Sequence, residues 1–208
     1  MTMTTTDCIR PAGWKNVARG LCADDCAAQI VEFALSVPVL VLFVIGIFDF
    51  SGALALKHKL ADAAREGARV AAADPASDLG NASGLPVSIS DAYQVVDYYL
   101  ISEKVPDCGL LGTSPTQTAG LIWTSPALTG CQDGTGMVLT INRGAPLNPN
   151  GTPCTIAQTA GQTTTYMVNT CVTLTYPYIW QFTGIGNFFG RFVGPTTITT
   201  MATAFNEN

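Results

Sequence analysis

The four cysteines in the second half of this chain are the residues whose chemistry is easiest to predict. They lie in a region rich in Thr, Gly and Pro: Cys108, Cys131, Cys154 and Cys171. An even number of cysteines in a small, loop-rich region predicts two disulfides, formed in an oxidising compartment. Among three connectivities we prefer sequence neighbours, Cys108 with Cys131 and Cys154 with Cys171. Four free, buried thiols are the alternative.

The environment of Glu32 can be predicted because this acid lies at the edge of an uncharged apolar run. The run extends from Phe33 to Phe48, and Asp49 interrupts it before a further apolar stretch. The two acids are separated by about 26 Å of helix, so each can lie near one interface of a bilayer. A charge at the bilayer centre costs roughly 2.5–3.5 kcal/mol, so Glu32 is tolerated best near an interface or beside a cation. An interfacial Glu32 with no partner is the alternative.

Metal, cofactor and catalytic sites have no support in the sequence. None of the four later cysteines is paired at the spacing of a zinc site, and the only histidine is His58. Phosphate-binding loops, Rossmann fingerprints and the motifs of zinc proteases and serine hydrolases are missing from the sequence. The net charge of −5 and the scattered basic residues argue against nucleic-acid binding. We therefore expect a protein that is not an enzyme and binds no metal, cofactor or nucleic acid.

The apolar run predicts one membrane-spanning helix, since a spanning helix needs about 20 apolar residues. Pro38 lies inside the run, where it removes the hydrogen bond to the Ala34 carbonyl and should bend the helix. The Ser36 hydroxyl or a neighbouring chain is the expected partner for that carbonyl. Cleavage as a secretory signal peptide, at the small residues 51–55, is the alternative.

The helix is predicted to continue beyond the membrane to about Ala73. Residues 57–73 are dominated by good helix formers, and Asp74–Pro75 ends the helix because proline disfavours helical geometry in the preceding residue. Two oppositely charged pairs at i,i+3 spacing support this helical extension: Asp62 with Arg65 and Glu66 with Arg69. A narrow stripe of apolar, mostly small side chains at i,i+4 spacing suits close packing against another helix: Leu56, Leu60, Ala64 and Ala68.

Beyond Pro75 the sequence predicts a small α+β domain. A second helix is predicted from Ile89 to Glu103, with Ser88 as its N-cap and Asp91 as the acidic partner of the cap. Alternation of apolar and polar residues predicts three strands: 137–141, 166–176 and 196–205. We expect an antiparallel sheet packed on the outer half of the long helix. The aromatic segment 178–193 is predicted to be either core packing under a loop or a surface for the membrane or a neighbouring subunit.

Two motifs resemble those of a known family. The run IVEFAL at 30–35 is followed by Pro38 and the apolar stretch, and AAREGAR follows at 63–69. Together these motifs make residues 27–73 resemble the TadE-like proteins, which are minor pilins or pseudopilins of the bacterial tight-adherence (Flp pilus) system. The run VTLTYPY at 172–178 and the Thr-rich strand to Ala204 are similar to how many such proteins end.

The resemblance implies processing and assembly like those of type IV pilins. A prepilin peptidase would cut after Gly and leave Glu at mature position five, which places the bond between Ala27 and Ala28. Ala27 stands where Gly is usual, so a cleaved form and an uncut, anchored form are both open. Glu32, Phe33 and Pro38 are the implied assembly residues. The partner of Glu32 would be the new N-terminal amine of a neighbouring subunit.

The sequence is therefore interpreted as a minor pilin-like structural component of a tight-adherence pilus assembly or secretion system. Its parts would be a cytoplasmic leader (1–27), a transmembrane and extended helix (28–74) and an extracytoplasmic α+β domain (75–208). It would be a single-pass protein of the inner membrane, with the pilus or cell surface as a later location. Its partners would be the membrane, the major pilin, other minor pilins, pilus platform proteins and the prepilin peptidase. A membrane-anchored extracytoplasmic binding module is the alternative function.

Overall fold

The structure is a computed structural model that describes residues 25–75, 77, 79, 84–131, 136–146, 168–180 and 197–206. Side chains of the first helix are described from Gln29 onward. The chain divides into two compact units, Met1–Phe50 and Ser51–Asn208. Among the described residues, the first unit contains only the beginning of the long helix, and all other elements belong to the second unit.

The long helix α1 runs from Asp25 to Ala73, so it begins three residues before the predicted start and ends at the predicted residue. Pro38 lies inside it, and the helix continues through that position. The Ser36 hydroxyl donates to the carbonyl of Glu32, 2.8 Å away, so the expected pairing of Ser36 with Ala34 is wrong. A serine in a helix returns its hydroxyl to the carbonyl four residues back, and Ala34 is only two residues back.

The second helix, α2, runs from Val87 to Ser102. The predicted Ser88 N-cap is wrong, because Pro86 occupies the N-cap position and Ser88 lies fully buried inside the helix. The φ of Pro86 is −57°, and the ring holds this helix-compatible angle without a side-chain cap. Val96 and Leu100 are fully buried in the core, with Val95 and Tyr99 half-buried beside them.

The sheet has five antiparallel strands in the order β1-β2-β3-β4-β5, so each strand pairs with its sequence neighbours. The strands are β1 Thr116–Ala119, β2 Ile122–Thr124, β3 Val138–Pro146, β4 Val168–Pro177 and β5 Thr197–Phe205. The predicted α+β fold, with a long apolar helix followed by a small antiparallel sheet, is confirmed. The three predicted strands correspond to β3, β4 and β5, whereas the hairpin of β1 and β2 was missed.

A hydrophobic core joins the second half of α1, the helix α2 and one face of the sheet. Small residues of α1 lie fully buried in it: Ala63, Ala64, Ala68 and Ala71. Leu139 and Ile141 of β3, with Val172 and Leu174 of β4, supply the sheet side. The packing therefore buries the small-residue stripe of α1, as the sequence predicted.

Candidate membrane and assembly site on the first helix

The first part of α1 exposes a continuous apolar surface. None of the side chains from Gln29 to Phe50 is buried, and Phe33 and Leu35 are each 71% exposed. The helix is long and apolar enough to span a membrane. Large apolar side chains in such number need lipid or protein around them, because water does not solvate them favourably. The exposure therefore indicates a surface that is covered by a membrane or by neighbouring subunits.

The predicted assembly residues lie together at the start of this surface. Glu32, Phe33 and Pro38 occupy less than two turns of α1, and the Glu32 side chain is exposed. The candidate cleavage bond, Ala27–Ala28, falls within the helical span, but both side chains lie outside the described ones. The roles of these residues in cleavage and assembly stay predictions.

The second half of α1 meets α2 in a close helix contact at Gly67. A Cβ atom placed on Gly67 would lie 2.6 Å from the side chain of Val96 and 3.6 Å from the carbonyl oxygen of Ala92. Both neighbours belong to α2, and Val96 is fully buried. The glycine of the AAREGAR motif is thus explained by the approach of the two helices. The motif's charged residues lie on the exposed side, where Arg65 pairs with Asp62 at 2.7 Å and Arg69 with Glu66 at 2.8 Å.

Replacing Gly67 with Ala is expected to destabilise the outer domain by roughly 1 kcal/mol. Overpacking against Val96 costs about 1–3 kcal/mol, which exceeds the gain in helix propensity of about 1 kcal/mol. Thermal unfolding of the full chain in detergent micelles measures the difference. In a Val96→Ala background the same Gly67→Ala change should be stabilising, since the obstructing methyl groups are gone. A loss of equal size in both backgrounds would contradict the contact.

The C-terminal end of α1 is held by a buried arginine that the sequence analysis did not single out. Arg143 is fully buried and donates from Nη2 to the carbonyl of Asp74, 2.9 Å away. A cation at this place satisfies a terminal carbonyl and interacts favourably with the helix dipole. The β3–β4 register shifts between Asn142 and Ala145, which puts Arg143 in a β-bulge. Bulges redirect side chains, and a bulge cannot be recognised from apolar alternation.

A disulfide links Cys108, just after α2, to Cys131, just before β3. The predicted disulfide content of this domain is therefore confirmed for the pair that the sequence preferred. The chain passes so close here that a Cβ on Gly130 would lie 2.5 Å from the carbonyl oxygen of Cys108. Cys171 is also disulfide-bonded. Cys154 lies outside the described residues, so the second predicted pairing stays a prediction.

Asp97 is a buried acid that the sequence analysis did not single out. Its side chain on α2 is fully buried, and neither carboxylate oxygen has a hydrogen-bond partner among the described residues. Burial, and after it the nearby negative charge of Asp107, together raise the pKa of Asp97 to about 6. Asp107 itself accepts hydrogen bonds from the backbone N–H groups of Gly109 and Leu110. A carboxyl group in this setting favours its neutral form.

Within the described part of the chain, no group of three or more His, Cys, Asp or Glu side chains could hold a metal ion. The residues that matter structurally are instead a glycine, an arginine and an acid on three different elements. Gly67 belonged to a motif noted in the sequence, and Arg143 was one of the few basic residues beyond Pro75. Asp97 gave no signal, because its burial depends on the tertiary fold.

Comparison with known proteins finds a family match over one part of this chain. No curated protein and no solved structure matches the chain. Residues 27–69 match the family model described as TadE-like protein. The match covers Glu32, Pro38 and Gly67, and it ends at Arg69. The TadE-like character that the sequence motifs of α1 indicated is therefore confirmed for residues 27–69.

Proposed function

We propose that this chain is a minor pilin-like structural component of a tight-adherence pilus, and not an enzyme. The observation that carries the proposal is the TadE-like match over 27–69, on a helix whose first part is exposed and apolar. A protein of this kind would be stored in the inner membrane through α1. It would later contact the major pilin, other minor pilins and platform proteins through the same helix surface.

We place the second unit, Ser51–Asn208, outside the cytoplasm. Its disulfide supports this orientation, because disulfides persist in oxidising compartments. The tail before α1 would then be cytoplasmic and accessible to a prepilin peptidase at the Ala27–Ala28 bond. Cleavage there would give Glu32 the fifth mature position and would create an amine on each subunit. A carboxylate held in an apolar environment attracts such a cation strongly, since the low dielectric screens the charges little.

Replacing Glu32 with Gln is expected to reduce capture of the other pilus components about tenfold, which corresponds to roughly 1.4 kcal/mol of lost attraction. Insertion into the membrane should be unchanged or improved, because a charge has been removed from an apolar helix. Co-purification of the components, normalised to the amount of this chain in the membrane, measures the effect.

The matched control is Asp49→Asn, which removes a charge from the same helix 17 positions further on. This variant should capture the components nearly as well as the parent, because no new amine is expected near Asp49. N-terminal sequencing of the same membrane fractions shows whether the chain begins at Ala28 or is uncut. Equal capture by the Glu32→Gln variant and the parent would refute the assembly role. It would favour the alternative function, a membrane-anchored binding module.

A further inference from the structure

A groove in the second unit has features of a lipid-binding site. It has a volume of about 300 Å³. Its lining residues come from one side of α1 (Gly52, Ala55, Leu56 and Lys59), from residues 104–106 after α2, from Cys131, and from residues 176–179 at the end of β4. Ligand pockets begin at about this size, so the groove is large enough for one small polar group. Apolar surface dominates its walls, and two lysines, Lys59 and Lys104, stand among the lining residues.

The two lysines differ in what already binds them. Lys59 donates to the carbonyl of Glu103 at 2.7 Å and lies 3.5 Å from the carboxylate of the same residue. Its ammonium group thus holds the C-terminus of α2. Lys104 is exposed, and its side chain makes no ion pair or hydrogen bond with any residue that the structure describes. Lys104 therefore offers a cation at the groove that none of the described residues pairs with.

The backbone of Lys104 adds an independent reason to assign it a function. Lys104 has a φ of 58°, in the left-handed region that glycine usually occupies at the end of a helix. Its N–H donates to the carbonyl of Ile101, and the N–H of Val105 donates to the carbonyl of Leu100. These two bonds form a Schellman motif, in which glycine would be the unstrained choice. A lysine held here at a conformational cost indicates that its side chain is needed.

The position of the groove along α1 indicates which kind of anion can reach the groove. Gly52 and Leu56 follow Asp49, the acid that the sequence predicts to lie near one interface of the bilayer, by three and seven residues. On a helix this is about 5–10 Å, and the headgroup region on each side of a bilayer is about 5–8 Å thick. Tyr178 lines the groove and meets Trp180 edge to face, with ring centroids 5.1 Å apart. Tyrosine and tryptophan are the aromatic residues enriched at membrane interfaces.

We propose that this groove binds the phosphate-bearing headgroup of an anionic phospholipid, with Lys104 as its cationic contact. The proposal rests on the membrane anchoring of α1 in the proposed function. Gly52 takes part by leaving room for the Tyr178 hydroxyl, which lies 3.3 Å from the position of a Cβ on Gly52. Lipid bound here would connect α1, the loop after α2 and the end of β4, and it would stabilise the outer domain against unfolding.

The test uses the full chain in nanodiscs of phosphatidylcholine, with and without phosphatidylglycerol. Phosphatidylglycerol should raise the midpoint of thermal unfolding by about 3 °C, and native mass spectrometry should detect it on the released protein. Lys104→Gly should lose most of this shift. Its midpoint in pure phosphatidylcholine should equal or exceed that of the parent, because glycine relieves the left-handed backbone. A variant that was merely misfolded would also lose the shift, but its midpoint in pure phosphatidylcholine would be lower than that of the parent.

Lys57→Gln is the matched control, since Lys57 is an exposed lysine of α1 that does not line the groove. The Lys57→Gln variant should keep the full rise in unfolding midpoint that phosphatidylglycerol causes. Inorganic phosphate added to phosphatidylcholine nanodiscs should give no shift, and an equal shift would overturn the lipid assignment. A parent that inserts but ignores phosphatidylglycerol, or an equal response of Lys104→Gly, would also overturn it. Failure of the chain to enter nanodiscs would instead count against the proposed membrane anchor.

Discussion

Replacing both Cys108 and Cys131 with Ser is expected to lower the free energy of unfolding of the outer domain by about 3 kcal/mol. The disulfide closes a loop with a sequence separation of 23 residues, and breaking it gives the unfolded chain more conformational freedom. The loop contains the β1–β2 hairpin, so the closed ring also holds the sheet edge near α2. Thermal unfolding of the full chain in micelles, without reductant, measures the loss.

The Gly130→Ala variant tests the same bond with both cysteines intact. A Cβ at this position would meet the backbone carbonyl of Cys108, and backbone cannot move aside as a flexible side chain can. We expect free thiols to increase and the domain to lose stability toward the level of the double serine variant. Gly112→Ala is the matched control, because a Cβ there meets nothing within 4 Å. An unchanged unfolding midpoint in the double serine variant would contradict the prediction.

The helical part of the fold could be predicted because its signals are local. The long apolar run, the helix formers after it and the Asp74–Pro75 stop lie in one continuous stretch, so the end of α1 was predicted correctly. The start of α2 was not, since Ser88 and Asp91 match a capping pattern although Pro86 already begins the helix. Where two local start signals compete within three residues, the sequence alone does not decide between them.

The strands of the sheet were predicted well only where the alternation of apolar and polar residues extends over many positions. β4 and β5 have ten and nine residues, and each was placed within two residues of its observed ends. β1 and β2 have four and three residues, which is too short for a period of two to be recognised. β3 continues five residues past the predicted end at Ile141, because the bulge around Arg143 interrupts the alternation.

The interactions that could not be predicted join residues far apart in sequence. Arg143 meets Asp74 across 69 positions, and Gly67 meets Val96 across two helices. No sequence pattern at these residues predicts the contact itself, since each contact exists only after α1, α2 and the sheet have packed. Asp97 is the clearest example, because an acid on a helix is normally exposed and here it is fully buried.

Asp97 is expected to make the outer domain less stable as the pH rises from about 4 to about 6. Its pKa is about 6 in the folded chain, against an ordinary value of 3.8. Between these values the folded chain keeps the proton that the unfolded chain releases, so the free energy of unfolding falls as the pH rises. Above pH 6 the loss is complete and amounts to about 3 kcal/mol, since one pKa unit corresponds to about 1.4 kcal/mol.

Replacing Asp97 with Asn should therefore stabilise the domain by about 3 kcal/mol near neutral pH and leave its stability unchanged near pH 4. The amide has nearly the shape of the neutral acid and carries no charge at any pH in this range. Unfolding midpoints in micelles are measured across this pH range for the parent and for the Asp97→Asn variant. The difference between the two isolates the contribution of Asp97 from those of other acids. The control is Asp91→Asn, which changes a half-buried acid of the same helix and should keep the parent's pH dependence. A stability difference between Asp97→Asn and the parent that does not vary with pH would show that Asp97 is charged in the fold as it is in the unfolded chain.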